Sequence, residues 1–173
     1  MTIKILATLV LVAQISLPLL LAGLLLIKKQ IRVFKFFEAA ALPLAFLVAL
    51  VSMLGSLYLS EIAGFAPCDL CWYQRIFMYP QVFLLGLAWY RKEHVIINYS
   101  LLLAAIGFAI SIYHNYIVYQ ALTQTFCSLD AKVSCTEKYI TVYGYISIPL
   151  MALTGFATIL ILLYGKKLVE KFK

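Results

Sequence analysis

Residues Val95–Leu122 read VIINYSLLLAAIGFAISIYHNYIVYQAL, a run without a single Asp, Glu, Lys or Arg. A helix needs roughly 20 apolar residues to cross a bilayer, so this stretch is long enough on its own. Four similar runs accompany it: Ile5–Ile27, Phe36–Leu59, Trp72–Tyr90 and Tyr145–Tyr164. Together they occupy most of a 173-residue chain that is 65% hydrophobic and 12% charged, with mean hydropathy +1.00. That composition excludes an ordinary soluble domain. The runs do not alternate in the manner of membrane-barrel strands. The sequence therefore predicts an all-α integral membrane protein, a single transmembrane domain over residues 1–173 with five spans. The first run exceeds the roughly 7–15 residues of a signal-peptide core and no A-x-A-like cleavage site follows it. Lys28, Lys29, Arg32 and Lys35 come next as a stop-transfer cluster, so Ile5–Ile27 is read as a retained helix.

Orientation follows from the basic residues of the connections. Ten of the fourteen Lys and Arg fall on one side: Lys28, Lys29, Arg32, Lys35, Arg91, Lys92, Lys166, Lys167, Lys171 and Lys173. This predicts a multi-pass protein of the cell membrane with its N-terminus outside and its C-terminus cytoplasmic. The +7 net charge belongs to that topology, and no nucleic-acid partner is needed to account for it.

All four cysteines then lie on the extracytoplasmic side, where disulfides persist. Cys68 and Cys71 form a C-x-x-C at the start of an apolar helix, and Cys127 and Cys135 sit in the polar stretch from Thr123 to Gly144. Four cysteines allow three pairings. Cys68–Cys71 with Cys127–Cys135 is favoured because each pair lies within one loop or helix start, and interchange between the loops stays geometrically possible. A thiol at a helix start is acidified by backbone N–H groups and the helix dipole. The loop pair taken alone reads as a staple. The neighbouring C-x-x-C, a spacing seldom needed for a staple, turns the reading toward a relay that passes disulfides between the pairs. Four thiolates suit zinc as well, but structural zinc usually pairs close knuckles in a polar fold, so no metal is expected.

Gly64 and Pro67 interrupt the chain just before Cys68, so a helix restarts at the motif. Positions 68, 71 and 75 then share one face, which puts Arg75 on the stripe of both sulfurs. An arginine in the first turns of a membrane helix is costly unless it snorkels to the headgroups or serves a charge. Its spacing from Cys71 favours a fixed cation beside a thiolate or a reduced acceptor. His114, in Tyr113-His114-Asn115-Tyr116, is a polar group within a span and reads almost equally as structural or as cofactor-side.

Thiol–disulfide exchange only moves electrons between sulfur pairs, so a relay needs a terminal acceptor. No flavin, haem or nicotinamide motif is present. A membrane-soluble quinone, menaquinone or ubiquinone, needs only an apolar groove beside the C-x-x-C. Attack of a Cys71 thiolate on the ring and displacement by Cys68 would yield a disulfide and a hydroquinone, with Arg75 stabilising the oxyanion.

Cys68-Asp-Leu-Cys71-Trp-Tyr-Gln-Arg75 resembles the C-x-x-C-x-x-x-R signature of the DsbB/BdbC disulfide bond formation proteins. Tyr113-His114 with Gln120, the Cys127…Cys135 pair, and Ile148-Pro149-Leu150-Met151-Ala152-Leu153 extend the resemblance over about residues 36–164. It implies a four-helix transmembrane bundle acting as a protein-disulfide oxidoreductase with quinone as acceptor, in the manner of the DsbA–DsbB–quinone route. By that analogy a reduced extracytoplasmic thioredoxin-fold oxidase (DsbA-like) attacks Cys127, whose mate is Cys135. Electrons pass on to Cys68–Cys71, with Cys71 beside the quinone and Arg75 and His114 near its ring oxygens. The span Ile5–Ile27 is additional to the family pattern.

Other readings fit less well. The vitamin K epoxide reductase-like family places its loop cysteines before the C-x-x-C, the reverse of the order here. An outward electron conduit would need cysteines near the inner side. A non-enzymatic membrane assembly factor with two structural disulfides predicts that Cys→Ser changes alter stability only. A metal transporter should carry acids within its spans, where they are nearly absent.

Overall fold

The computed structural model describes residues 2–25, 31–91, 93–120 and 144–171. Among the described residues five α-helices follow one another: α1 (Thr2–Leu25), α2 (Ile31–Leu57), α3 (Asp69–Arg91), α4 (His94–Gln120) and α5 (Ile148–Lys171). Three stretches among the described residues are long and apolar enough to cross a membrane, Ala39–Ile62, Val95–Gln120 and Ile148–Lys171, and Lys4–Leu19 is a shorter apolar helix. α3 is long enough at 23 residues but less apolar than the span Trp72–Tyr90 had implied. The reason is chemical: Gln74, Arg75 and Gln81 are carried by α3, and all three are buried.

The packing is a circuit in which α2 meets α3 and α5, and α4 meets the same two helices. α1 lies against α5 and touches α2. In lipid, helices gain little from hydrophobic exclusion, so close van der Waals fit and interhelical hydrogen bonds hold them. Both are present. Ala41, Ala45 and Ala49 form a fully buried stripe along α2 at one-turn spacing, which lets neighbouring backbones approach. On α4, Gly107 makes room for Phe156 of α5, since a Cβ there would stand 2.3 Å from the ring. Gln81 of α3 donates to the Ser100 carbonyl of α4 at 2.9 Å, and Ser100 Oγ returns a hydrogen bond to Gln81 Oε1. Asn115 of α4 spans to the Pro149 carbonyl of α5 at 2.9 Å. Outward, the helices present Leu47, Leu54, Phe83, Tyr99, Leu102 and Ile112, apolar surface of the kind that faces lipid.

The end of α2 sets up the cysteine motif. Its last turn widens into a π-helical turn over Tyr58–Ile62, closed by Ala63 N–H to the Tyr58 carbonyl at 3.0 Å. Gly64 follows with φ +74°, a left-handed conformation that favours glycine and ends the helix. The chain then runs through Pro67 into α3. The break expected from Gly64 and Pro67 is where the sequence places it.

Candidate functional site

Cys68 caps α3. Its carbonyl accepts the N–H of Trp72 at 3.0 Å, the first bond of the helix, so its side chain is positioned to take a free N–H of the first turn. The backbone N–H of Cys71 fills that role for Cys68 Sγ. The two cysteines are free thiols with their Sγ atoms 3.2 Å apart, in hydrogen-bond contact. One turn of helix thus brings the sulfurs together, as the i, i+3 spacing implies.

His114 of α4, 1% exposed, completes the thiol environment. Its Nε2 lies 3.8 Å from Cys68 Sγ, and its Nδ1 lies 3.3 Å from Nε2 of Gln74. An amide nitrogen can only donate, so Nδ1 accepts from Gln74 and the ring proton sits on Nε2, facing the sulfur. Cys68, immediately ahead of α3, is therefore surrounded by donors. The hydrogen bond from Cys71 is the largest influence, and with His114 it holds the Cys68 thiol well below its usual range against the opposing effect of burial.

Arg75 turns inward rather than snorkelling. It is 9% exposed, donating from Nε to Ser56 Oγ at 3.0 Å and from Nη2 to the Ser56 carbonyl at 3.1 Å. The Trp72 ring covers it on the other side, 5.2 Å from Cζ to the ring centroid, a cation–π contact. A guanidinium has five N–H donors and Ser56 takes two of them. The cation is clamped in place with donors to spare.

These groups converge on a cavity of about 320 Å³, at the low end of the roughly 300–1,000 Å³ of small-molecule sites. Cys68, Cys71, Gln74, Arg75 and His114 all line it. From Ser56 the cavity follows α2 back to Leu47, about 14 Å of helix at ~1.5 Å per residue, and its walls there are Val48, Val51 and other apolar side chains. A polar, sulfur-bearing end joined to an apolar slot suits an amphiphile with an electrophilic head and a greasy body. The donor atoms of Cys68, Cys71 and His114 also lie within 4.8 Å of one another, a consequence of the imidazole facing the thiols.

Of the residues singled out from sequence, Cys68, Cys71, Arg75 and His114 come together around one cavity. Cys127 and Cys135 lie outside the described residues. Two contributors were not singled out. Gln74, inside the motif, orients His114, and Ser56 of α2 anchors Arg75. A glutamine within an apolar helix was a readable signal for the first; a serine in a membrane span is too common to mark the second.

The fold and site define a helical, membrane-type protein built around a partly buried dithiol. Comparison with known sequences narrows that class. The profile of the disulfide bond formation protein DsbB family matches residues 38–165. The chain is 49% identical over 119 residues to "Probable disulfide formation protein C 1" of Bacillus cereus (strain ATCC 10987), covering 69% of this chain and 86% of that protein. To "Disulfide bond formation protein C" of Bacillus subtilis (strain 168) it is 45% identical over 129 residues, 71% of this chain and 91% of the relative. A "Probable disulfide formation protein" of Metapseudomonas resinovorans is 38% identical over 123 residues, 70% and 85% of the two chains. No solved structure matches. The chain belongs to the DsbB family of disulfide bond formation proteins.

Proposed function

We propose that this protein is a membrane thiol oxidase that reoxidises an extracytoplasmic thioredoxin-fold dithiol oxidase and delivers the electrons to a membrane quinone. The observation that carries the reading is the cavity itself: a hydrogen-bonded thiol pair, a clamped guanidinium and an imidazole at one end, apolar walls beyond. Quinone is the second substrate here, menaquinone or ubiquinone, and the residues present fit it. The apolar slot accepts its body and Arg75 offers unused donors to a ring oxygen.

The proposed topology has five spans, α1 preceding a four-helix bundle of α2 to α5, with the N-terminus outside, the C-terminus cytoplasmic and every cysteine on the extracytoplasmic side. The partner's dithiol attacks Cys127, the loop disulfide Cys127–Cys135 opens, and the loop thiols then reduce Cys68–Cys71. Each exchange breaks one S–S bond and forms another. In the last step the Cys71 sulfur attacks the ring and its proton passes to a ring oxygen. The Cys68 thiolate, held by His114, then attacks the Cys71 sulfur 3.2 Å away and breaks its bond to the ring. A disulfide forms, two electrons leave with the hydroquinone, and its second proton comes from solvent, replacing the one Cys68 released there. Arg75 stabilises the negative charge that develops on the ring oxygen.

The test is anaerobic turnover of purified protein with a reduced thioredoxin-fold dithiol and a soluble quinone, followed by quinone absorbance, for wild type and Cys71→Ser. Quinone loss that requires both the dithiol and Cys71 supports the reading. Folded protein that reduces no quinone would favour the assembly-factor alternative.

A further inference from the structure

α1 lies outside the stretch that matches the family, which begins at residue 38, yet it borders the cavity that the family motif builds. Leu6, Leu9, Val10 and Ala13 line it at the three- and four-residue spacing of one helix face. Ile5, Val12, Ile15 and Leu19 are exposed.

Two contacts fix this helix in place. Gln14 donates to Thr154 Oγ1 of α5 at 3.2 Å and accepts from the Tyr145 hydroxyl at 3.0 Å. An amide inside an apolar helix that is satisfied from both ends acts as a register pin. Nearer its start, Leu6 Cδ2 lies where a Cβ on Gly55 of α2 would be only 3.0 Å away, so the glycine permits a close approach. Gly55 is next to Ser56, which anchors Arg75. The lining face of α1 therefore begins beside the polar end of the cavity, at Leu6, and continues to Ala13 along its apolar part.

We propose that α1 is the tail-reading wall of the acceptor cavity, making this protein selective for the apolar side chain of its quinone. The inference rests on the quinone reading above and adds the specificity element. The ring of a quinone fits the thiol and guanidinium end, and the substituent that leaves the ring passes along Leu6, Leu9, Val10 and Ala13. Were α1 absent, the side of the cavity that it lines would open to lipid, and acyl chains would sheathe any tail alike. With α1 pinned across it, the first units of the tail meet protein side chains.

The experiment uses the full chain and two readouts, equilibrium binding by quenching of tryptophan fluorescence and steady-state quinone reduction. Trp72, whose ring lies over Arg75, places one of the two tryptophans beside the polar end of the cavity. A tailless benzoquinone and a decyl-tailed analogue are compared in wild type, Ala13→Phe and Leu9→Ala. Ala13→Phe should lower the tailed-to-tailless ratio of affinity, and of kcat/KM, by about tenfold, the scale on which extra bulk in an apolar pocket discriminates. Leu9 is half exposed, so Leu9→Ala keeps the fold and should lower the same ratio by about threefold through lost contact. Ratios equal to wild type in both variants, or equal losses for both quinones, would overturn the proposal by reducing α1 to a structural support. If wild type binds and reduces neither quinone, the acceptor reading itself has failed, and the selectivity proposal falls with it.

Discussion

Replacing Arg75 with alanine removes a cation that the structure holds at the cavity through two hydrogen bonds to Ser56, 3.0 and 3.1 Å long. If its remaining donors meet the quinone oxygen, the loss is that of a charge-assisted hydrogen bond, about 1.5–3 kcal/mol. At about 1.36 kcal/mol per decade, kcat/KM for quinone should fall roughly 10- to 150-fold, through KM for the contact to the bound quinone and through kcat for the charge that develops on its oxygen. The Ser56 groups left behind add a folding cost of about 1–3 kcal/mol, which a thermal melt in detergent would register. The assay separates the half-reactions. Quinone reduction by pre-reduced protein is one, and disulfide exchange between the oxidised protein and a reduced thioredoxin-fold partner is the other. Arg75→Ala should slow the first and spare the second. Ser56→Ala, which keeps the guanidinium but loosens it, should show a smaller loss in the same direction. Unchanged quinone kinetics in folded Arg75→Ala would refute the assignment and leave the buried arginine as a strut between α3 and α2.

Other outcomes follow from the same geometry. His114→Ala removes a donor from Cys68, so the pH at which the Cys68 thiolate forms should rise, seen as an upward shift in the pH profile of alkylation at that residue. Alkylation of wild type should accordingly persist below the ordinary thiol range, where the variant has lost it. Gly107→Ala drives a methyl group to 2.3 Å from the Phe156 ring and should lower stability by about 1–3 kcal/mol; Phe156→Leu in the same chain should recover part of it in thermal melts. Cys135→Ser should trap the thioredoxin-fold partner as a mixed disulfide on Cys127, read by non-reducing gel and peptide mapping. A trap that forms through Cys68 would reverse the proposed order of the pairs.

Much of the helical layout was legible because long apolar runs leave few alternatives to a helix. The run Val95–Leu122 became α4 (His94–Gln120), and Trp72–Tyr90 became α3 (Asp69–Arg91). The limits that differ do so for local reasons. α5 continues past Tyr164 to Lys171 as a polar helical end, carrying a Lys166–Glu170 pair at 3.3 Å and a Lys167 bond to Asn98 at 2.8 Å. Hydropathy sees only the apolar part of such a helix. Helical spacing put Cys68, Cys71 and Arg75 on one face because that relation is local. The arrival of His114 at Cys68 and of Ser56 at Arg75 depends on how α2 and α4 pack against α3, which no spacing encodes. The place of α1 was hidden for the same reason. A run such as Ile5–Ile27 declares that it is a helix, while its role depends on Gln14 meeting Thr154 and Tyr145 far along the chain.

The central claim is that the Cys68–Cys71 pair hands its electrons to a quinone in the cavity they share. A single-turnover experiment addresses it most directly: fully reduced Cys127→Ser/Cys135→Ser protein, free of partner, is mixed anaerobically with a limiting soluble quinone, and the disulfides formed are mapped by mass spectrometry. Loss of quinone absorbance matched one-for-one by a Cys68–Cys71 disulfide is the expected result. Quinone that stays oxidised, or quinone reduced while Cys68 and Cys71 remain thiols, would contradict it.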